Sequence, residues 1–154
     1  MVLLNDERIS NIAVRENQEE LISLKGIHQD ILVDESKSQI MNQSDFFCHA
    51  RRSVAEMLKE AAGYLPPGYQ ILIKEAYRPL SQQKKSFEMV YQDYQKMYPD
   101  RSDEEIYKTT CQFVAPVKVA GHPTGGAIDL TLLKDGEEQD MGTAYNAVPL
   151  EPEN

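Results

Sequence analysis

A chain of 154 residues with 41% hydrophobic and 27% charged residues has the composition of an ordinary globular protein, and a chain of this length buries roughly 70% of its unfolded surface in one domain. Its formal net charge of −9 argues against nucleic acid or an anionic membrane as partner, because both require a basic face. Met1 to Arg8 is too short and too soon charged for a signal peptide, and no apolar run approaches the ~20 residues of a membrane span. Cys48 and Cys111 lack CxxC spacing and read as free thiols of a reducing compartment, so the expected location is the cytoplasm.

In chain order, residues 9–43 read as short extended segments, with Ile9, Ile12, Val14, Leu21, Ile22 and Leu24 broken by polar runs. His28 reads as a surface or loop histidine. A first helix is expected from Ser44, an N-cap with Asp45 beside it, to Gly63, where Pro66-Pro67 follows. Val54, Met57, Leu58 and Ala61 would form its buried face, and His49 would lie on it. Ile71, Leu72 and Ile73 make Gln70–Tyr77 a strand that ends at Pro79. A second helix is expected from Leu80 to Tyr98, with Phe87, Val90, Tyr91, Tyr94 and Met97 on one face. Ser102-Asp103-Glu104-Glu105 fits a capping box that opens a third helix to about Phe113, with Ile106 and Cys111 available for burial. Ala127, Ile128, Leu130, Leu132 and Leu133 form a β-rich run, and Lys134-Asp135-Gly136-Glu137 signals a hairpin. The last residues, Pro149 to Asn154, read as an extended tail.

Two places could carry chemistry. In Gly121-His122-Pro123-Thr124-Gly125-Gly126-Ala127-Ile128-Asp129, a loop histidine is followed by two glycines and an acid on an apolar strand. A carboxylate there is costly when buried alone and is stabilised by a cation. Imidazole nitrogen and carboxylate oxygen are ligand types suited to Zn²⁺, and adjacent glycines let the backbone approach a bound group. The same residues also fit a surface histidine and a capping Asp. Arg78, where the strand gives way to Pro79, fits either a surface salt bridge or a fixed fork of donors for a carboxylate or developing oxyanion.

The run from Gly121 to Leu132 resembles the zinc-binding motif of the D-alanyl-D-alanine dipeptidases, the VanX-like branch of the DD-peptidase/Hedgehog-type metallopeptidases. Leu65-Pro66-Pro67-Gly68-Tyr69, Glu75-Ala76-Tyr77-Arg78-Pro79 and Asp140-Met141-Gly142-Thr143 agree with that family in order and spacing, so the resemblance spans roughly residue 9 to the end. It implies an α+β fold, a small mostly antiparallel sheet with packed helices, over a single domain from residue 1 to 154. It implies one zinc held by His122 and Asp129, and Arg78 stabilising charge at the scissile carbonyl. The activity implied is zinc-dependent hydrolysis of D-alanyl-D-alanine, or a related D,D-dipeptide, in cell-wall precursor or peptidoglycan metabolism.

The chain departs from the family pattern at several points. The family's third zinc ligand and its general base lie in a C-terminal Glu-x-x-His block, and no histidine follows His122 here. The expectation is therefore that this chain corresponds to the N-terminal and central part of the family domain, with a complementary C-terminal fragment or chain as partner. Cys111, His28 or His49 would be the substitutes for the missing ligand within the chain. Ala120 stands where the family has a serine that helps hold the substrate amino end, and a methyl makes no hydrogen bond. Tyr145-Asn146 stands where family members tend to have Phe-Asp. The alternative is a catalytically inactive relative that acts as a peptide-binding module.

Overall fold

The apolar run Ile71-Leu72-Ile73 forms the heart of strand β4 (Tyr69–Glu75), a central strand of a four-stranded sheet. The structure is a computed structural model and describes residues 4–13, 15–36, 44 and 46–142. Val14, Asp45, Thr143, Tyr145-Asn146 and the tail Pro149 to Asn154 lie outside the described residues. By its contacts the chain divides into two compact units, one of Met1–Arg15, Leu80–Ala120 and Thr143–Asn154, the other of Glu16–Pro79 and Gly121–Gly142.

The second unit contains both sheets. β2 (Ile31–Val33) pairs parallel with β4, whereas β5 (Asp129–Lys134) pairs antiparallel with β4 and with β6 (Glu137–Glu138). A two-stranded antiparallel sheet joins β1 (Leu21–Ser23) to β3 (His49–Arg51). Four of the described helices, counting both units, complete an α+β fold, and most strand pairings are antiparallel as expected. Leu24, Ile31, Ala50, Ala55, Leu58, Ala62, Ile71, Ile73 and Ala76 are buried together as its core. Between β5 and β6, Asp135 and Gly136 both take positive φ (52° and 85°), which matches the right-handed twist of a two-residue hairpin.

Helix α2 (Arg52–Gly63) corrects the expected start at Ser44: residues 49–51 are strand, so His49 lies on β3 and meets Phe46 in a tilted contact with ring centroids 4.8 Å apart. The physical reason is a cap supplied from far along the chain. Arg51 at the N-cap makes no side-chain cap bond; instead Arg52 N donates to Glu20 O (3.0 Å) and Ser53 N donates to the Glu19 carboxylate. These partners satisfy amides that every helix start leaves open. Ser44 caps a turn, its Oγ accepting from Phe46 N at 3.1 Å. The buried face is also rotated from the expected one: Ala55, Leu58 and Ala62 are buried, whereas Met57 and Ala61 are exposed. Ile9 belongs to a short helix, α1 (Glu7–Ser10), rather than an extended segment; Asp6 caps it by accepting from Arg8 N.

In the first unit, α3 (Leu80–Met97) turns Phe87, Val90, Tyr91 and Tyr94 inward to half-burial, but leaves Met97 exposed. Phe87 meets Tyr107 and Tyr94 meets Phe113, with ring centroids 5.6 and 5.3 Å apart. The partner helix α4 (Asp103–Phe113) starts at Ser102 with the full reciprocal capping box to Glu105, and it buries Ile106, Thr110 and Cys111.

The end of β4 carries two buried charges that the sequence reading passed over. Lys74 is 1% exposed and its Nζ sits 2.9 Å from Asp34 Oδ2 and 2.8 Å from Glu138 Oε2. It thereby fastens the end of β2 and the edge strand β6 to the sheet's middle. Glu75, fully buried, is gripped by Arg78. Charges at such depth persist only when paired.

Candidate active site

The site grows from an irregularity in the sheet. Along β4 and β5 the register runs Tyr69↔Lys134 to Ile73↔Leu130 and then slips, so that Glu75 faces Asp129. A bulge of this type bends the strand and re-aims side chains, and bulges concentrate beside active sites. Here it sets two acids opposite one another, an arrangement that is unfavourable without nearby positive charge. Each acid has such a partner. Arg78 Nε and Nη2 both stand 2.7 Å from Glu75, on Oε1 and Oε2 respectively, a two-point grip. His122 Nε2 lies 3.5 Å from Asp129 Oδ1.

His122 opens a 3₁₀ turn (His122–Thr124) with Pro123 in its first positions, where a missing N–H costs nothing. Its ring is fixed from β4's extension: Nδ1–H donates to Ala76 O at 2.6 Å, and Arg78 N donates back to His122 O at 3.4 Å. The two segments therefore clasp each other around Tyr77. With Nδ1 committed to a carbonyl, Nε2 is the nitrogen presented toward Asp129, the way ligating histidines are oriented in metal sites. His122 is held above its ordinary imidazole pKa. Burial, the largest single influence, pushes it down, but the Asp129 carboxylate and the Ala76 carbonyl together outweigh it.

The loop closes on itself after the histidine. Thr124 Oγ1 donates to Gly121 O (2.6 Å) and accepts from Gly126 N (3.1 Å). Gly125 sits in the left-handed region at φ 71°, and a Cβ there would run into Leu21 Cδ2 and press on Arg51. Gly125→Ala is therefore expected to cost about 1–3 kcal/mol, through φ strain and overpacking. Thermal unfolding of that variant checks it, and an unchanged midpoint would refute the close fit.

The donor set fits a metal in part. Two ligand atoms on one tetrahedral zinc, each about 2.0–2.2 Å from it, stand about 3.3–3.6 Å apart, and the His122–Asp129 separation falls in that range. Among the described residues no group of three His, Cys, Asp or Glu side chains could hold a metal ion. The substitutes considered from sequence are engaged otherwise: His28 Nδ1 accepts from Asp30 N (3.1 Å), His49 lies in β3, and Cys111 is a buried free thiol. Ala120 is buried. Asp140 Oδ1 accepts from Gly142 N at 2.8 Å, a local turn in the Asp140-Met141-Gly142 block.

Arg78 forms the ion pair that its residue type allowed, but with a fully buried carboxylate instead of a surface one. Glu75 and the Ala76 carbonyl escaped sequence reasoning. The position of Glu75 three residues before Arg78 was the available signal; nothing in sequence marks a carbonyl.

No helix among the described residues is long and apolar enough to cross a membrane. No curated protein and no solved structure matches the chain significantly. The sequence profile of the peptidase M15 family, described as D-Ala-D-Ala dipeptidase, matches residues 28–148, a span that includes Arg78, His122 and Asp129. That family is generally zinc-dependent, and its match makes a peptidase of the metallopeptidase type the class of activity. The chain belongs to the D-Ala-D-Ala dipeptidase family of peptidases.

Proposed function

We propose that the protein hydrolyses a D,D-dipeptide in a zinc-dependent reaction, with D-alanyl-D-alanine of cell-wall precursor metabolism as the leading substrate. The observation that carries this reading is the convergence of His122 Nε2 and Asp129 Oδ1 at 3.5 Å, with the opposite ring nitrogen tied to Ala76 O. His122 and Asp129 would hold the metal, which when bound supplies a Lewis acid and a water whose pKa falls to about 7. Arg78 would meet the scissile carbonyl with its guanidinium, while Glu75 holds that group still through Nε and Nη2. Such preorganised donors act where charge develops in the transition state. Ala120 leaves the substrate's amino end without the hydroxyl that the family pattern has there. The reading includes a third ligand and a general base from a complementary segment or chain. It also includes a cytoplasmic location, supported by the buried free thiols Cys48 and Cys111.

His122→Ala should abolish bound zinc and with it D-Ala-D-Ala hydrolysis, read by elemental analysis after dialysis and by release of D-alanine. In the unaltered protein, zinc affinity should fall as pH drops, because the proton held by His122 must leave before the metal binds. Zinc retained at full stoichiometry in the variant would refute the site. Zinc bound by the parent protein together with its complementary segment, without any hydrolysis, would instead favour a peptide-binding relative.

A further inference from the structure

The His122 loop is held at two ends, and the second hold comes from a residue outside the resemblance's motifs. On the β4 side, Ala76 O and Arg78 N fix His122 itself. On the opposite side, Arg51 of β3 takes the carbonyls of Thr124, which ends the turn, and of Gly125, its C-cap. Its side-chain Nε donates to Thr124 O at 2.7 Å, and its backbone N donates to Gly125 O at 3.0 Å. The rest of the guanidinium is anchored in turn: Nη1 lies 3.0 Å from Glu16 Oε1 and 2.6 Å from Asn17 Oδ1, and Nη2 lies 2.7 Å from Glu16 Oε2. The Arg51 side chain is 19% exposed.

We propose that Arg51 is a positioning residue for the metal loop, its guanidinium strapping the Thr124 carbonyl to the Glu16–Asn17 segment so that the His122 ring keeps its aim at Asp129. The proposal rests on the zinc-site reading for its consequence, though the strap itself does not. The physical argument is leverage. The turn His122–Thr124 has three residues, and its internal bonds run from Thr124 and Gly125 back to Gly121 and His122. Those bonds preserve the turn's shape but leave it able to pivot as a body about Gly121 and Gly126. The clasp at Ala76 resists rotation at one end alone. A second tether about two residues along converts a hinge into a fixed platform, and ligand placement within a few tenths of an ångström depends on such support. Lysine could not replace this residue: one ammonium on a flexible stem cannot bond a carbonyl on one edge and a carboxylate on the other, as a planar guanidinium does. Gly125 shows how close the strap lies, since a Cβ there would press on Arg51.

The test is amide hydrogen exchange on the full chain without metal, together with the proton NMR signal of the His122 Nδ1–H group. In Arg51→Ala, exchange at Thr124, Gly125 and Gly126 should quicken at least about tenfold, and the Nδ1–H signal should broaden or vanish. The β4–β5 ladder amides should stay unchanged, which separates release of the loop from general loosening. Arg51→Lys keeps the aliphatic stem and charge, should fold where the alanine variant does not, and should show the same loop release to a smaller degree. Glu16→Gln, which weakens the anchor alone, should fall between parent and Arg51→Lys. Zinc affinity, read in the same preparations, should drop at least about tenfold in Arg51→Ala, following the loop release. Unchanged loop exchange in both Arg51 variants overturns the proposal, as does loop release with undiminished zinc affinity. A parent protein that binds no zinc through His122 overturns the metal reading instead, and leaves the strap to be judged by exchange alone.

Discussion

Arg78→Ala should lower turnover about 10²–10³-fold and should also destabilise the fold by about 3–5 kcal/mol. The two losses have different origins. The first would be loss of donors aimed at the substrate carbonyl. The second follows because Glu75 is fully buried and Arg78 supplies its two-point grip, so the variant leaves a carboxylate at depth without its cation. Pairing the change with Glu75→Gln separates them. The double variant removes the buried charge, so its unfolding midpoint should recover most of the lost stability while dipeptide turnover stays low. Recovery of both stability and turnover would show that Arg78 serves Glu75 alone, and the catalytic role would be withdrawn.

Lys74→Met should cost less, about 1–3 kcal/mol, with no direct effect on chemistry, because the acids it leaves behind are not fully buried. Methionine fills the stem's volume, but Asp34 and Glu138 then face each other where an ammonium stood within 2.9 Å of both. The acid limb gives a second readout. In the parent protein the Asp34 carboxyl is held down at about 2: burial alone would raise it, and the Ser36 and Lys74 contacts outweigh burial. A depressed carboxylate contributes stability that is full above its unfolded value of about 3.9 and is lost as pH falls toward about 2. Lys74 is itself raised, because Glu138 and Asp34 outweigh its burial. Its contribution is full below the unfolded value of about 10.4 and disappears as pH climbs through the folded one. Unfolding midpoints between pH 2 and 11 should therefore show both limbs flattened in Lys74→Met. Parent-like limbs in the variant would show that the three charges act independently.

Much of this architecture could be read from residue order alone. The helices at Leu80–Met97 and Asp103–Phe113, the capping box at Ser102 and the Asp135-Gly136 hairpin are local events. Their causes, which are periodicity, an N-cap three residues from a glutamate and two positive-φ positions, lie within a few residues of the effect. The residues of the His122 loop stand out in sequence for another reason: His122, the glycines and Asp129 sit in one continuous segment whose residue types suggest ligands and close backbone approach.

The start of α2 was not legible, because its caps, Glu19 and Glu20, lie about thirty residues upstream and reach it only once β1 and β3 pair. The buried charges were missed for a related reason. Lys74 and Glu75 look like polar strand residues in sequence, and burial becomes tolerable through Asp34, Glu138 and Arg78, partners delivered by the sheet's order. Thus residue types and their local spacing determined the elements, the family and the identity of His122, Asp129 and Arg78 as candidates. The tertiary structure decided what aims them. The bulge that sets Glu75 against Asp129, the Ala76 carbonyl that selects a ring nitrogen, and the Arg51 hold on the loop are each contacts between distant segments. Chain order cannot encode those contacts locally, since the entropy of closing the intervening chain is offset only by the assembled core.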